Sequence, residues 1–156
     1  MKRLTYILPA ALLVFGCQRT PESSVPPLSE ESRPDTRSCW SKVDRELVLK
    51  AILGTEDFQL YLHPEVDGRL PVLLSENTFV TPDLTLFSNG QKVVVTEYDP
   101  NPESTTHKIT ITHMDCEKEV LNYSVYYPVE GAFMEGAAKK IQGRWVATVS
   151  HVGEKN

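Results

Sequence analysis

Apolar side chains recur at every second position over much of this chain, and that period restricts it to strands with one buried face each. Phe58, Leu60 and Leu62 share one such face, Leu70, Val72 and Leu74 a second, and Leu84 and Leu86 a third. Asn89-Gly90 follows the third. That dipeptide tolerates positive φ at both central turn positions, so Leu84 to Phe87 and Lys92 to Tyr98 are expected to pair as a tight hairpin. Asp99 to Ser104, with Pro100 and Pro102, reads as a loop, and Thr106 to Met114 as a strand with Ile109 and Ile111 inward. Leu121, Tyr123, Val125 and Tyr127 alternate in a further strand, and Arg144 to Val152 form the last. A count of about six or seven short strands predicts a mainly β fold, a small antiparallel sandwich or barrel.

One short N-terminal helix interrupts this pattern. Ser41 is a cap with Asp44 three residues on, Val43, Leu47 and Ala51 share a face, and Gly54 ends the run. Between Glu130 and Gln142, Phe133, Ala137 and Ile141 have helical spacing, but Gly131, Gly136 and Gly143 loosen any helix, so a loop is expected there. The closing Gly143-Arg144-Trp145, followed by alternating residues, resembles the last strand of immunoglobulin-like extracellular modules.

The start of the chain speaks to address. Lys2 and Arg3 precede an apolar run from Ile7 to Phe15, then Gly16 and Cys17. A run of about ten apolar residues is too short to span a ~30 Å hydrocarbon core, which favours a cleaved segment over a permanent helix. Residues 14–17 resemble the lipobox of a bacterial lipoprotein signal peptide, with Val14 and Phe15 departing from the usual residues. The resemblance implies cleavage after residue 16, lipid on Cys17 and a membrane partner reached only through the acyl chains. Gln18, where retained lipoproteins of Gram-negative cells carry Asp, implies the periplasmic face of the outer membrane. Residues 17–38 hold Pro21, Pro26, Pro27 and Pro34 and few apolar side chains, so they read as a disordered tether. Such a tether reaches about 60 Å in polyproline form and about 25 Å as a flexible coil. Residues 39–156 are the size of one domain.

Charge excludes some partners. The chain carries 16 Lys plus Arg against 21 Asp plus Glu, a net of −5, and loss of Lys2 and Arg3 leaves 14 against 21, a net of −7. An acidic surface repels phosphate, so nucleic acid is not an expected partner. With Cys17 assigned to lipid, Cys39 and Cys116 remain as an even pair in an oxidising compartment and are expected to form a disulfide. Closing so long a loop disfavours the unfolded chain by about 4.5 kcal/mol in the chain-entropy picture. Two free thiols or two metal ligands are the competing reading.

Chemistry is thinly marked. His63, His107, His113 and His151 are the histidines; His107 and His113 are expected on the face of Ile109 and Ile111, with Met114 next in sequence. Imidazole and thioether together suit copper or zinc, which makes His107, His113 and Met114 an alternative metal-handling set. There is no CxxC or HxxxH pair, no glycine-rich phosphate loop, and no nucleophile elbow. Ser150 and His151 are strand neighbours pointing to opposite faces, and Asp115, Glu117 and Glu119 fit a solvated turn. No enzyme activity and no cofactor is expected.

Binding is the class that remains. Tyr61 lies opposite Phe58, Leu60 and Leu62, Tyr126 lies opposite Tyr123 and Val125, and Tyr98 is a third exposed aromatic. Tyrosine is the residue type favoured at interfaces, and acidic flanks suit a basic protein partner. The expectation is a lipid-anchored, non-catalytic module that binds an envelope protein, as an inhibitor or immunity-like partner or an assembly accessory.

Overall fold

The computed structural model describes residues 40–154. The signal segment, Cys17, the tether and Cys39 lie outside the described residues. Two helices come first, α1 (Lys42–Leu53) and α2 (Glu56–Leu62), followed by eight strands. These are β1 (Leu73–Ser75), β2 (Phe87–Ser88), β3 (Gln91–Lys92), β4 (Val94–Thr96), β5 (Thr106–Asp115), β6 (Val120–Tyr127), β7 (Ala132–Ile141) and β8 (Arg144–Glu154). Six of them form one open sheet in the order β4-β1-β5-β6-β7-β8, and β2 and β3 pair separately. The fold is mainly β, but β1 runs parallel to both β4 and β5. The sheet is therefore mixed and open, where an antiparallel sandwich or closed barrel was expected. Gly143-Arg144-Trp145 opens the last strand at the edge of this mixed sheet, an arrangement that does not bear out an immunoglobulin-like architecture.

Local chemistry explains α1. Ser41 Oγ accepts from the Asp44 N–H at 3.1 Å and donates to Asp44 Oδ2 at 2.6 Å, and the Gly54 N–H reaches back to the carbonyls of Lys50 and Ile52. The buried stripe is Val48, Leu49, Ile52 and Leu53, whereas Val43 and Leu47 of the expected face are exposed. Both stripes have helical spacing. The bulkier one wins because each large aliphatic side chain removed from water contributes about 1.5–3 kcal/mol.

Phe58, Leu60 and Leu62 belong to α2 and not to a strand. Their spacing fits either element, since Phe58 and Leu62 stand one turn apart and both are buried while Leu60 is exposed. Thr55 decides it by capping: its Oγ1 accepts from the Phe58 N–H and its carbonyl from the Gln59 N–H. The second correction is β7, which replaces the loop expected over Glu130 to Gln142. Ala132, Met134, Gly136 and Ala138 all face the core in period two, and Gln142-Gly143, with φ of 50° and 77°, closes a tight hairpin into β8.

The Asn89-Gly90 turn forms with φ of 50° and 76°, but its strands stop after two residues each. Val94 to Thr96 then leave the hairpin to pair with β1. Both helices lie on one face of the sheet, over Leu121, Tyr123, Val125, Met134 and Ala138, and together these make a single core. The opposite face carries no element among the described residues. No helix among the described residues is long and apolar enough to cross a membrane.

Candidate functional site

On the uncovered face, register places side chains in rows across the strands. Lys108 in β5 stands opposite Tyr126 in β6, Tyr126 opposite Phe133 in β7, and Phe133 opposite Gly153 in β8. The row continues at both ends. The Lys108 ammonium lies 4.8 Å from the centre of the Tyr98 ring, and His151 lies 5.4 Å from the Phe133 ring. A Cβ at position 153 would meet Phe133 at 2.5 Å, so the phenyl ring lies flat across Gly153. The result is an aromatic and basic stripe, Tyr98, Lys108, Tyr126, Phe133 and His151, on a face that also carries Thr110, His113, Asn122, Ser124, Glu135 and Ala137. Tyr98 is 46 % exposed.

Two of the three tyrosines expected to face a partner thus meet in one stripe. Tyr61 does not join them, because it belongs to α2 and packs against the core from the helix side. Phe133 escaped the sequence reading because its segment looked like a loop. Its signal was the pair Gly131 and Gly143 bracketing a ten-residue run, which marks the two turns of a strand. The expected acidic flank reduces to Glu97 beside Tyr98 and Glu135 beside His151, and the cation in the row is Lys108.

The histidines do not converge. A register shift between Ile111 and His113 turns His113 to the open face, opposite Asn122, while His107 stays inward. The two therefore point to opposite sides of the sheet, and Met114 packs inward against the core. His107 lies between Phe58 at 4.8 Å and Tyr127 at 3.8 Å, nearly parallel to the latter. Its Nδ1 is 3.3 Å from the Leu73 carbonyl, a contact in which Nδ1 carries the proton and donates. Burial lowers its pKa to about 4; the hydrogen bond to Leu73 opposes the shift and Arg69 adds to it. This imidazole is neutral at ordinary pH and serves as packing.

Arg69 closes the cluster. It donates to Tyr127 Oη at 2.6 Å, pairs with Glu130, and lies 5.3 Å from the Tyr127 ring centre. The Tyr127 hydroxyl, followed by Glu130, raises the Arg69 pKa against the cost of burial. Replacing Arg69 with Met should destabilise the domain by about 2 kcal/mol in urea unfolding, since Glu130 and the Tyr127 hydroxyl lose a shared charged donor. A loss below about 0.5 kcal/mol would mean the group is effectively solvated.

Several of the remaining polar groups pair locally. Ser150 Oγ donates to the Glu135 carbonyl at 3.1 Å, Lys118 pairs with Asp115 at 2.9 Å, and Lys140 pairs with Glu119 at 2.7 Å. Cys116, in the turn between β5 and β6, is disulfide-bonded, and its partner lies outside the described residues. Among the described residues no group of three His, Cys, Asp or Glu side chains is placed to hold a metal ion.

Taken by its elements, the chain is a mainly β domain with two helices on one face of a mixed sheet and a side-chain stripe on the other. Compared with known proteins, it matches no family model, no curated protein and no solved structure.

Proposed function

We propose that this protein is a lipid-anchored module of the bacterial cell envelope that works by contact with another envelope protein and not by catalysis. The anchor rests on the signal-like residues 1–17, with acyl chains on Cys17 and the domain on the periplasmic side of the outer membrane. The observation that carries the contact reading is the stripe: three aromatics, a lysine and a histidine aligned across an uncovered sheet face. Tyr and Phe bring large contact area at little cost in side-chain entropy, and Lys108 adds a charge held over a ring. Roles of this kind include neutralising a lytic or toxic enzyme and serving as an accessory subunit of an assembly.

Changing both Tyr126 and Phe133 to Ser tests the reading, because neither is a core residue and the fold should survive. With the acylated protein as bait in envelope extract, the expected result is a partner retained by the wild type and lost by the double variant, with unchanged circular dichroism. Identical capture by both proteins would reject the stripe as the contact. Intact-mass spectrometry tests the anchor separately, expecting a mature chain that starts at an acylated Cys17.

A further inference from the structure

The two edges of the sheet differ. β4 ends it with three residues, a length that offers little to a new strand. At the other end β8 runs for eleven residues, and among the described residues nothing pairs with its outer side. Edge strands are usually blunted by proline, lysine or a bulge, and between Trp145 and Val149 β8 has none of these. The register shift that interrupts it comes later, opposite Glu135 and Gly136, so the first half is regular.

Beside that regular half lies a groove of about 470 Å³, walled by α1 on one side and by Arg144 to Ala147 on the other. Leu47, Ala51, Trp145 and Ala147 supply its apolar lining, and Leu47 is 44 % exposed, left uncovered by the fold. Lys50 and Arg144 are its charged lining residues, both cationic, in a chain whose net charge is −5. An unpaired strand edge calls for main-chain donors and acceptors, an apolar trough beside it for alternate apolar side chains, and two cations for carboxylates.

We propose that β8 is a strand-addition site: an extended acidic peptide segment of a partner protein pairs with Trp145 to Val149 and lays alternate apolar side chains between α1 and β8. The site is at the sheet edge, so it stands apart from the aromatic stripe and does not depend on it.

The test uses a blocked octapeptide alternating Val and Glu as probe, added to the isotope-labelled mature chain. Binding should slow amide hydrogen exchange across Trp145 to Val149 and shift the backbone signals of Leu47 and Lys50. Methylating alternate backbone nitrogens of the probe should abolish binding, because the ladder cannot form. Reversing both groove charges with Lys50→Glu and Arg144→Glu should weaken the acidic probe by about fivefold or more and favour its Val-Lys counterpart. The Tyr126→Ser, Phe133→Ser protein should bind the probe unchanged, which separates this site from the stripe. The proposal is overturned if the methylated probe binds equally well, if β8 amides stay unprotected at saturating probe, or if sedimentation shows β8 already engaged by a second copy of the chain.

Discussion

Replacing Gly136 with alanine should destabilise the domain by about 3 kcal/mol or more, among the largest effects expected of any single methyl group in this chain. A Cβ built there would lie 2.2 Å from the Thr148 carbonyl oxygen and 2.7 Å from both Cζ and Oη of Tyr123. Neither neighbour can yield cheaply. Thr148 is held in the β7 and β8 ladder, and its carbonyl accepts the Tyr123 hydroxyl at 3.2 Å. Tyr123 is buried in the core, and burial, aided by Asp57, raises its pKa to about 12, so it remains a neutral donor. At an open site the same exchange gains about 0.4–1 kcal/mol by restricting the unfolded chain, so sterics decide the sign here. Urea unfolding of Gly136→Ala measures it, and a loss below about 1 kcal/mol would show that the ladder adapts. Adding Tyr123→Leu should recover only part of the loss, because the Thr148 contact persists.

Stability should also fall by about 3 kcal/mol between roughly pH 6.5 and pH 4 through His107 alone. In the unfolded chain its imidazole takes up a proton near its ordinary value of 6.5, whereas in the native core the pKa is lowered to about 4. Across that interval the unfolded state binds the extra proton and is favoured; below it both states are protonated and the slope from this residue ends. Asp44, Asp83 and Asp115 act in the same direction but lower down. Their native pKa values lie under the ordinary 3.8, held there chiefly by hydrogen bonds from Ser41, Thr81 and Lys118 respectively, so their contribution fades only as pH drops below about 4. His107→Phe keeps an aromatic ring between Phe58 and Tyr127 and removes the proton site. Its unfolding free energy should be flat where the wild type declines. Parallel pH profiles for the two proteins would place the wild-type decline elsewhere.

The stripe and the groove are two separate surfaces of different make-up. Lys108 and His151 stand among aromatics with Glu97 and Glu135 close by, whereas the groove beside β8 is cationic and apolar. One partner spanning both would have to wrap from the open face around the β8 edge, and the variants above would each weaken it in part.

Period-two alternation fixed β5, β6 and β8 as strands, and the inward Ile109, Ile111, Leu121, Tyr123, Val125 and Tyr127 of the first two, because a strand with one buried face has no other arrangement that hides its apolar set. The cap at Ser41, the stop at Gly54 and the Asn89-Gly90 turn were equally legible, since each is decided by neighbouring atoms. Tertiary structure decided the rest. Phe58 and Leu62 satisfy a strand and a helix alike, and only the Thr55 cap and the packing of α2 on His107 separate them. A one-residue shift in β5 moved His113 to the far side of the sheet, which no periodicity foretells. Gly136 weakens a strand read locally, yet in the folded sheet its missing side chain is the space that the Tyr123 ring fills. The stripe itself exists only through register: its residues come from four strands and one loop, and what aligns them is the hydrogen-bonded ladder between chains of residues far apart in sequence.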